Sequence, residues 1–247
     1  MKKIIALMLC LLACSWVFAG GASEDDGVYV FAADATWPPF EFIDENGNLT
    51  GFEVELVPMI GEHVGVEMRV ENIAWDTIFA GLANGQYDGV ASGVTVTEER
   101  KQTMDFSMPI ASQGQVVVVM TGSDIQSADD LTGKSVGVQI GTTGDFALDD
   151  YDVDRRQYDD IGLAIQDMIN GNLDACVCDS IIASDFVLAN ENYAGMLRVA
   201  GEPFTDEEIA IAVKKGNTEL LDLVNQGLQA MMDDGSFDAL KAKWNIL

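Results

Sequence analysis

Short apolar runs of strand length alternate with longer segments of helical spacing, and this alternation restricts the fold more than any other feature of the chain. Residues 28–33, 115–120, 135–139, 175–178 and 209–213 read as buried strands, with a shorter one at 88–91. Between them, Phe52, Leu56, Met59, Ile60 and Val64 recur at helical spacing over 52–64. Ile78, Phe79 and Leu82 do the same over 76–83, which ends at the helix-exit pair Asn84-Gly85. Further helices are predicted at 160–170, 181–189, 220–234 and 237–244, with a short one after Ser127. The alternation predicts an α/β architecture with mainly parallel sheets. Strand, loop and helix units recur before and after residue 113, each set with its own apolar strands.

The chain has 247 residues, 48% of them hydrophobic, which suffices for one large domain or two small lobes. Its 41 acidic residues against 13 basic ones give a formal net charge of −28. Such a surface repels phosphate backbones, so nucleic acid is excluded as a partner. Anionic membrane surfaces repel it in the same way. His63 is the single histidine, with no cysteine beside it. A zinc site or a histidine-based triad therefore lacks material, and neither a metal nor a cofactor is expected. His63 itself reads as an ordinary surface residue.

The start of the chain reads as an address. Met1-Lys2-Lys3 is basic, 4–13 is apolar apart from Cys10, and Val17-Phe18-Ala19 offers a small-residue exit. Residues 1–19 are the expected export signal. Leu11-Leu12-Ala13-Cys14 is the competing exit, a lipoprotein box with Cys14 lipidated. No later run reaches the roughly 18 apolar residues of a spanning helix. The mature chain is therefore expected in the periplasm or at the cell surface. Cys176 and Cys178 read as two buried thiols on a strand, since a bridge across that spacing would be badly strained.

Four segments could carry chemistry. In Gly93-Val94-Thr95-Val96-Thr97-Glu98-Glu99-Arg100, Thr97 caps a helix start and the glutamates suit its first turn. Arg100 does not suit it, unless an anion sits there and is gripped by the guanidinium and free backbone N–H groups. The plain alternative is a solvated arginine paired with Asp105 or a neighbouring glutamate. Gly141-Thr142-Thr143-Gly144 follows a strand and opens a helix, so small residues and hydroxyls face the strand's end. Asp179 ends the strand at 175–178; it is either an N-cap or a carboxylate for a ligand ammonium. Asp34 opens the loop Asp34-Ala35-Thr36-Trp37-Pro38-Pro39-Phe40-Glu41-Phe42. Trp37 and Trp75 are either core or the walls of a flat slot, with Asp34 beside it to select a cationic or amide group.

In order, these pieces resemble the polar and basic amino-acid-binding proteins of ABC importers, family 3 of the bacterial extracellular solute-binding proteins. The loop from Asp34, Gly51-Phe52-Glu53-Val54-Glu55-Leu56, the helix from Trp75, the segment ending at Arg100, Asp105-Phe106-Ser107, Gly133–Gln139, Gly141-Thr142-Thr143, 174–179 and the final Gly235–Trp244 carry the resemblance. It implies a two-lobed periplasmic-binding-protein fold of type II, its lobes joined by two crossing strands. Lobe one would be 27–112 plus 207–247 and lobe two 113–206. Arg100 with the Thr95 and Thr143 backbone amides looks like an α-carboxylate clamp. Asp179, the Gly93 carbonyl and the Thr95 hydroxyl look like an α-ammonium site. Trp37 and Trp75 look like side-chain walls, Asp34 and Gln139 like polar selectors. The partners implied are a free amino acid, cationic in first place and glutamine in second, and a membrane permease; a monomer is expected. A few proteins similar to this family are exported dehydratases. Glu41 is the one acid to nominate for such chemistry, and it is expected to face solvent.

Overall fold

The computed structural model describes residues 27–184 and 190–246. The expected signal 1–19, Cys14 and most of the expected helix 181–189 lie outside the described residues; Ser180–Ser184 is helical.

Two five-stranded sheets organise the chain. In the first, Glu67–Asn72, Val28–Ala33, Gly89–Val90, Ala212–Lys214 and Met104–Phe106 lie side by side in that order. In the second the order is Asp154–Tyr158, Ser135–Gln139, Ala175–Asp179, Gln115–Met120 and Leu197–Ala200. The sheets are mixed, not mainly parallel. Val28–Ala33 and Ser135–Gln139 run parallel to both neighbours, but Gln115–Met120 and Ala212–Lys214 run antiparallel to theirs. Parallel neighbours need a crossover of a dozen residues or more. Gln115–Met120 and Ala212–Lys214 have none, because they follow directly on a short antiparallel ladder between Ala111–Gln113 and Glu207–Ile209. That ladder joins the two sheet-containing lobes. The expected strand 209–213 is thus two strands, one in the ladder and one in the first sheet.

The helices cover the sheets with the faces that their spacing predicts. Leu56 and Ile60 of Phe52–Val64 pack with Val224, Leu228 and Met231 of Thr218–Asp234, all fully buried. Ala164, Ile165 and Met168 of Ile161–Ile169 pack in the same core as Cys176 and Cys178. Asp160 caps that helix through the Leu163 N–H at 3.0 Å. The two thiols are free and share one face of their strand, while Val177 enters the core on the other face. Burial pushes both thiols well above their ordinary range. His63 is exposed at the end of its helix, where it reaches Asp234 at 3.0 Å.

Candidate functional site

All ten residues singled out as a ligand site line one cavity, and Ser92 joins them. From the first lobe come Asp34 and Trp37 after the first strand, Trp75 at a helix start, Gly93 and Thr95 after Gly89–Val90, and Arg100. From the second come Gln139 at a strand end, Thr142 and Thr143 at the next helix start, and Asp179 at a strand end. The ends of buried strands converge on the cleft between lobes, where open α/β sheets leave room for ligands.

Arg100 sits in a short 3₁₀ turn, Arg100–Gln102, and not in the α-helix expected after Thr97. Thr97 still caps the turn, accepting the Arg100 N–H at 3.1 Å. Arg100 is 9% exposed, and its guanidinium spans the cleft. Nη1 donates to the Thr95 carbonyl at 2.9 Å and Nη2 to the Gly141 carbonyl at 3.3 Å. It lies 5.6 Å from the Trp75 ring centre and 5.1 Å from that of Phe79. Five donors leave capacity for a further anion. Burial lowers its pKa to about 10, against the pull of Asp179 and Glu207, so it stays cationic at neutral pH. The alternative pairing is not made, because Asp105 accepts from Lys215 Nζ at 2.6 Å.

Asp179 is 6% exposed. Burial and the nearby Glu207 charge raise its pKa to about 7, while Gln115, Gln113 and Arg100 oppose the rise. Gln115 Nε2 donates to its Oδ1. Asp34 is also raised, first by burial and then by the charges of Asp160 and Asp76; the Trp75 N–H on its Oδ2 at 3.1 Å opposes this. Gln139 is buried and donates its amide to the Asp159 carbonyl at 2.9 Å. Thr142 caps its helix through the Asp145 N–H at 3.2 Å. Asp145, 2% exposed, ties that turn down by accepting the Gly141 N–H at 2.9 Å and Arg155 Nη1 at 3.1 Å. Gly144 turns its open side to Gln115, whose Oε1 would lie 2.6 Å from an added Cβ, and not to the cavity.

Several residues of the site were not foreseen. Glu41, expected at the surface, is fully buried. Ser92 Oγ donates to Glu41 Oε1 at 2.9 Å and accepts the Asp34 N–H at 2.9 Å. Glu53 is fully buried beside it and accepts the Gly93 N–H on Oε2 at 2.5 Å. Glu41 Oε2 and Glu53 Oε1 are buried and have no hydrogen-bond partner, an arrangement that a proton kept on the pair would relieve. Burial, then the Glu53 charge, drives Glu41 well above the carboxylate range, and burial raises Glu53 to about 7. The folded chain therefore holds protons that the unfolded chain releases between about pH 4.5 and 7, so stability falls as pH rises through that window. The melting temperature of ligand-free protein is expected to drop between pH 5 and 7.5. Glu53→Gln should flatten that slope, and an identical slope in the variant would contradict the shared proton.

A wider recess adjoins the cavity through Asp34 and Trp75, and Asp76, Asp159 and Asp160 line it. The cleft thus offers a buried guanidinium at one corner, a buried carboxylate at another, aromatic walls, and an acidic exit. The model of the bacterial extracellular solute-binding proteins, family 3, matches residues 29–246. The chain belongs to that family. It is 38% identical over 225 residues to the L-cystine-binding protein TcyJ of Escherichia coli (strain K12), covering 90% of this chain and 84% of that protein. An ancestral arginine-binding protein bound to arginine superposes with a TM-score of 0.83 at 39% identity, covering 88% of this chain and 98% of that one. The arginine-, lysine-, histidine-binding protein ArtJ from Geobacillus stearothermophilus does so with a TM-score of 0.82 at 33% identity, covering 87% and 94%. The two-lobed type II periplasmic-binding-protein fold is therefore that of this family member.

Proposed function

We propose that this chain is the extracytoplasmic solute-binding subunit of an amino-acid ABC importer, closing around a free L-amino acid with a cationic side chain, arginine first and lysine second. The charge balance of the cavity carries the reading. Arg100 is the one cation among the lining residues, against the carboxylates of Asp34 and Asp179. A zwitterion leaves that imbalance as it is; a ligand with a cationic side chain reduces it. The acidic recess next to Asp34 would also repel the far carboxylate of a ligand such as cystine.

In this reading Arg100 and the Thr95 and Thr143 amides hold the α-carboxylate. Asp179, the Gly93 carbonyl and the Thr95 hydroxyl hold the α-ammonium. Trp37 and Trp75 flank the aliphatic stem, and Asp34, Gln139 and the Thr142 turn meet its polar end. The lobes divide as 27–112 with 207–247 and 113–206, which agrees with the membership of the two sheets. The ligand binds one lobe first, and its contacts with the other shift the population to the closed form. A permease then reads the closed lobes. The chain acts as a monomer in the periplasm or at the cell surface, after cleavage at Ala19 or lipidation of Cys14. It acts without catalysis, since Glu41 is sealed behind Ser92 and does not line the cavity.

A thermal-shift panel of the twenty amino acids tests the ligand, with arginine expected to give the largest rise. Asp34→Asn should weaken arginine by about tenfold or more and glutamine much less, because it removes a charge-assisted contact. A panel in which glutamate binds best and arginine is inert would end the cationic reading.

A further inference from the structure

Glu207 lies on the crossing strand Glu207–Ile209, outside the residues that line the cavity, and is 8% exposed. Its carboxylate collects four donors. Oε2 accepts from Thr95 Oγ1 at 2.9 Å and from Thr143 Oγ1 at 2.8 Å. Oε1 accepts from Thr205 Oγ1 at 2.8 Å and from Gln115 Nε2 at 3.2 Å. An ionised carboxylate has about four lone-pair positions, so none remains for a ligand. Thr95 and Thr143 stand on opposite sides of the cleft, with their hydroxyl oxygens 3.3 Å apart, and both line the cavity. A hydroxyl has one hydrogen and two acceptor positions. With that hydrogen given to Glu207, each threonine has lone pairs alone to offer, and on Thr143 one of the two already accepts from Gln115 Nε2 at 3.1 Å.

We propose that Glu207 is a positioning residue that sets the polarity of both hydroxyls: by taking the hydrogens of Thr95 and Thr143 it makes them acceptors, so the cleft selects a ligand whose α-substituent is a donor cation. The inference rests on the amino-acid reading and deepens it. Thr143 then serves the ligand twice, with its backbone N–H on the carboxylate and its hydroxyl near the ammonium. Gln115 takes part from behind, since its amide joins Glu207 to Asp179 and gives the corner one continuous set of acceptors.

Calorimetry with L-arginine and its α-hydroxy analogue, L-argininic acid, tests the assignment. Wild type should prefer arginine strongly. Glu207→Gln supplies an amide hydrogen where an acceptor stood, which turns hydroxyl hydrogens toward the cavity. The preference for the ammonium over the hydroxyl compound should shrink by about tenfold or more. Equal weakening of both compounds, with the preference kept, would reduce Glu207 to a structural role and overturn the proposal. If Glu207→Gln does not fold, Thr95→Val and Thr143→Val must each shrink the same preference, and a preference unchanged in both would overturn it. Should glutamine and not arginine prove to be the ligand, glutamine and its α-hydroxy analogue give the same comparison, so the cationic reading can fail alone. A wild-type protein that binds no amino acid would sink this proposal and the reading beneath it together.

Discussion

Arg100→Ala is expected to weaken amino-acid binding on the order of 30- to 5000-fold, equivalent to about 2–5 kcal/mol. The loss is large because the site is desolvated. Arg100 is the single cation lining a cavity that also holds Asp34 and Asp179. Without it the ligand carboxylate enters a buried site with two like charges and no counter-charge. Two contacts to the protein vanish as well, to the Thr95 and Gly141 carbonyls on either side of the cleft. Arg100→Lys keeps the charge but cannot span both carbonyls with a planar fork, so it should recover only part of the affinity. Calorimetry reads both variants. Affinity within about threefold of wild type in Arg100→Ala, well below the loss expected for a buried pair, would remove the clamp.

Gly114→Ala should be the most damaging single methyl in the region between the lobes. Gly114 joins the crossing strand Ala111–Gln113 to Gln115–Met120. An added Cβ would stand 2.1 Å from the Thr205 carbonyl oxygen and 2.9 Å from Pro203 Cβ. Neither neighbour can swing away, for one is backbone and the other a ring. Gly114 is held from the far side too, since its carbonyl accepts the Ser180 N–H at 2.8 Å. Overpacking of this kind costs about 3 kcal/mol, which lowers the melting temperature by roughly 6–12 °C in a chain of this size. Affinity should fall as well, because the next residue, Gln115, links Asp179 to Glu207. A calorimetric melting temperature within about 2 °C of wild type would contradict the wedge.

The central strands of both sheets were legible as apolar runs, because each is covered on both faces and has two neighbours. Glu67–Asn72, Met104–Phe106, Asp154–Tyr158 and Leu197–Ala200 were not, and these are the four sheet edges. An edge strand is half solvated and carries charge to discourage further pairing, as Asp154-Arg155-Arg156-Gln157-Tyr158 does. No hydrophobic period survives in such a segment. The cavity-lining residues were readable because they stand where an apolar run gives way to small and polar ones. The acids behind them were not. Glu41, Glu53 and Glu207 look like any of the 41 acidic residues until the fold buries them. One usable sign was a polar residue at the start of an apolar strand, as Gln115 is. The mixed direction of the sheets had no local sign at all, since it follows from where the chain crosses between lobes.

Cys176 and Cys178 lie in the core beneath Ile161–Ile169, and burial disfavours the thiolate that any exchange reaction needs. An oxidising surrounding therefore finds no nucleophile while the second sheet stays shut. The pair is a built-in clock for that sheet: the pace at which a disulfide reagent labels it measures how often the lobe breathes open.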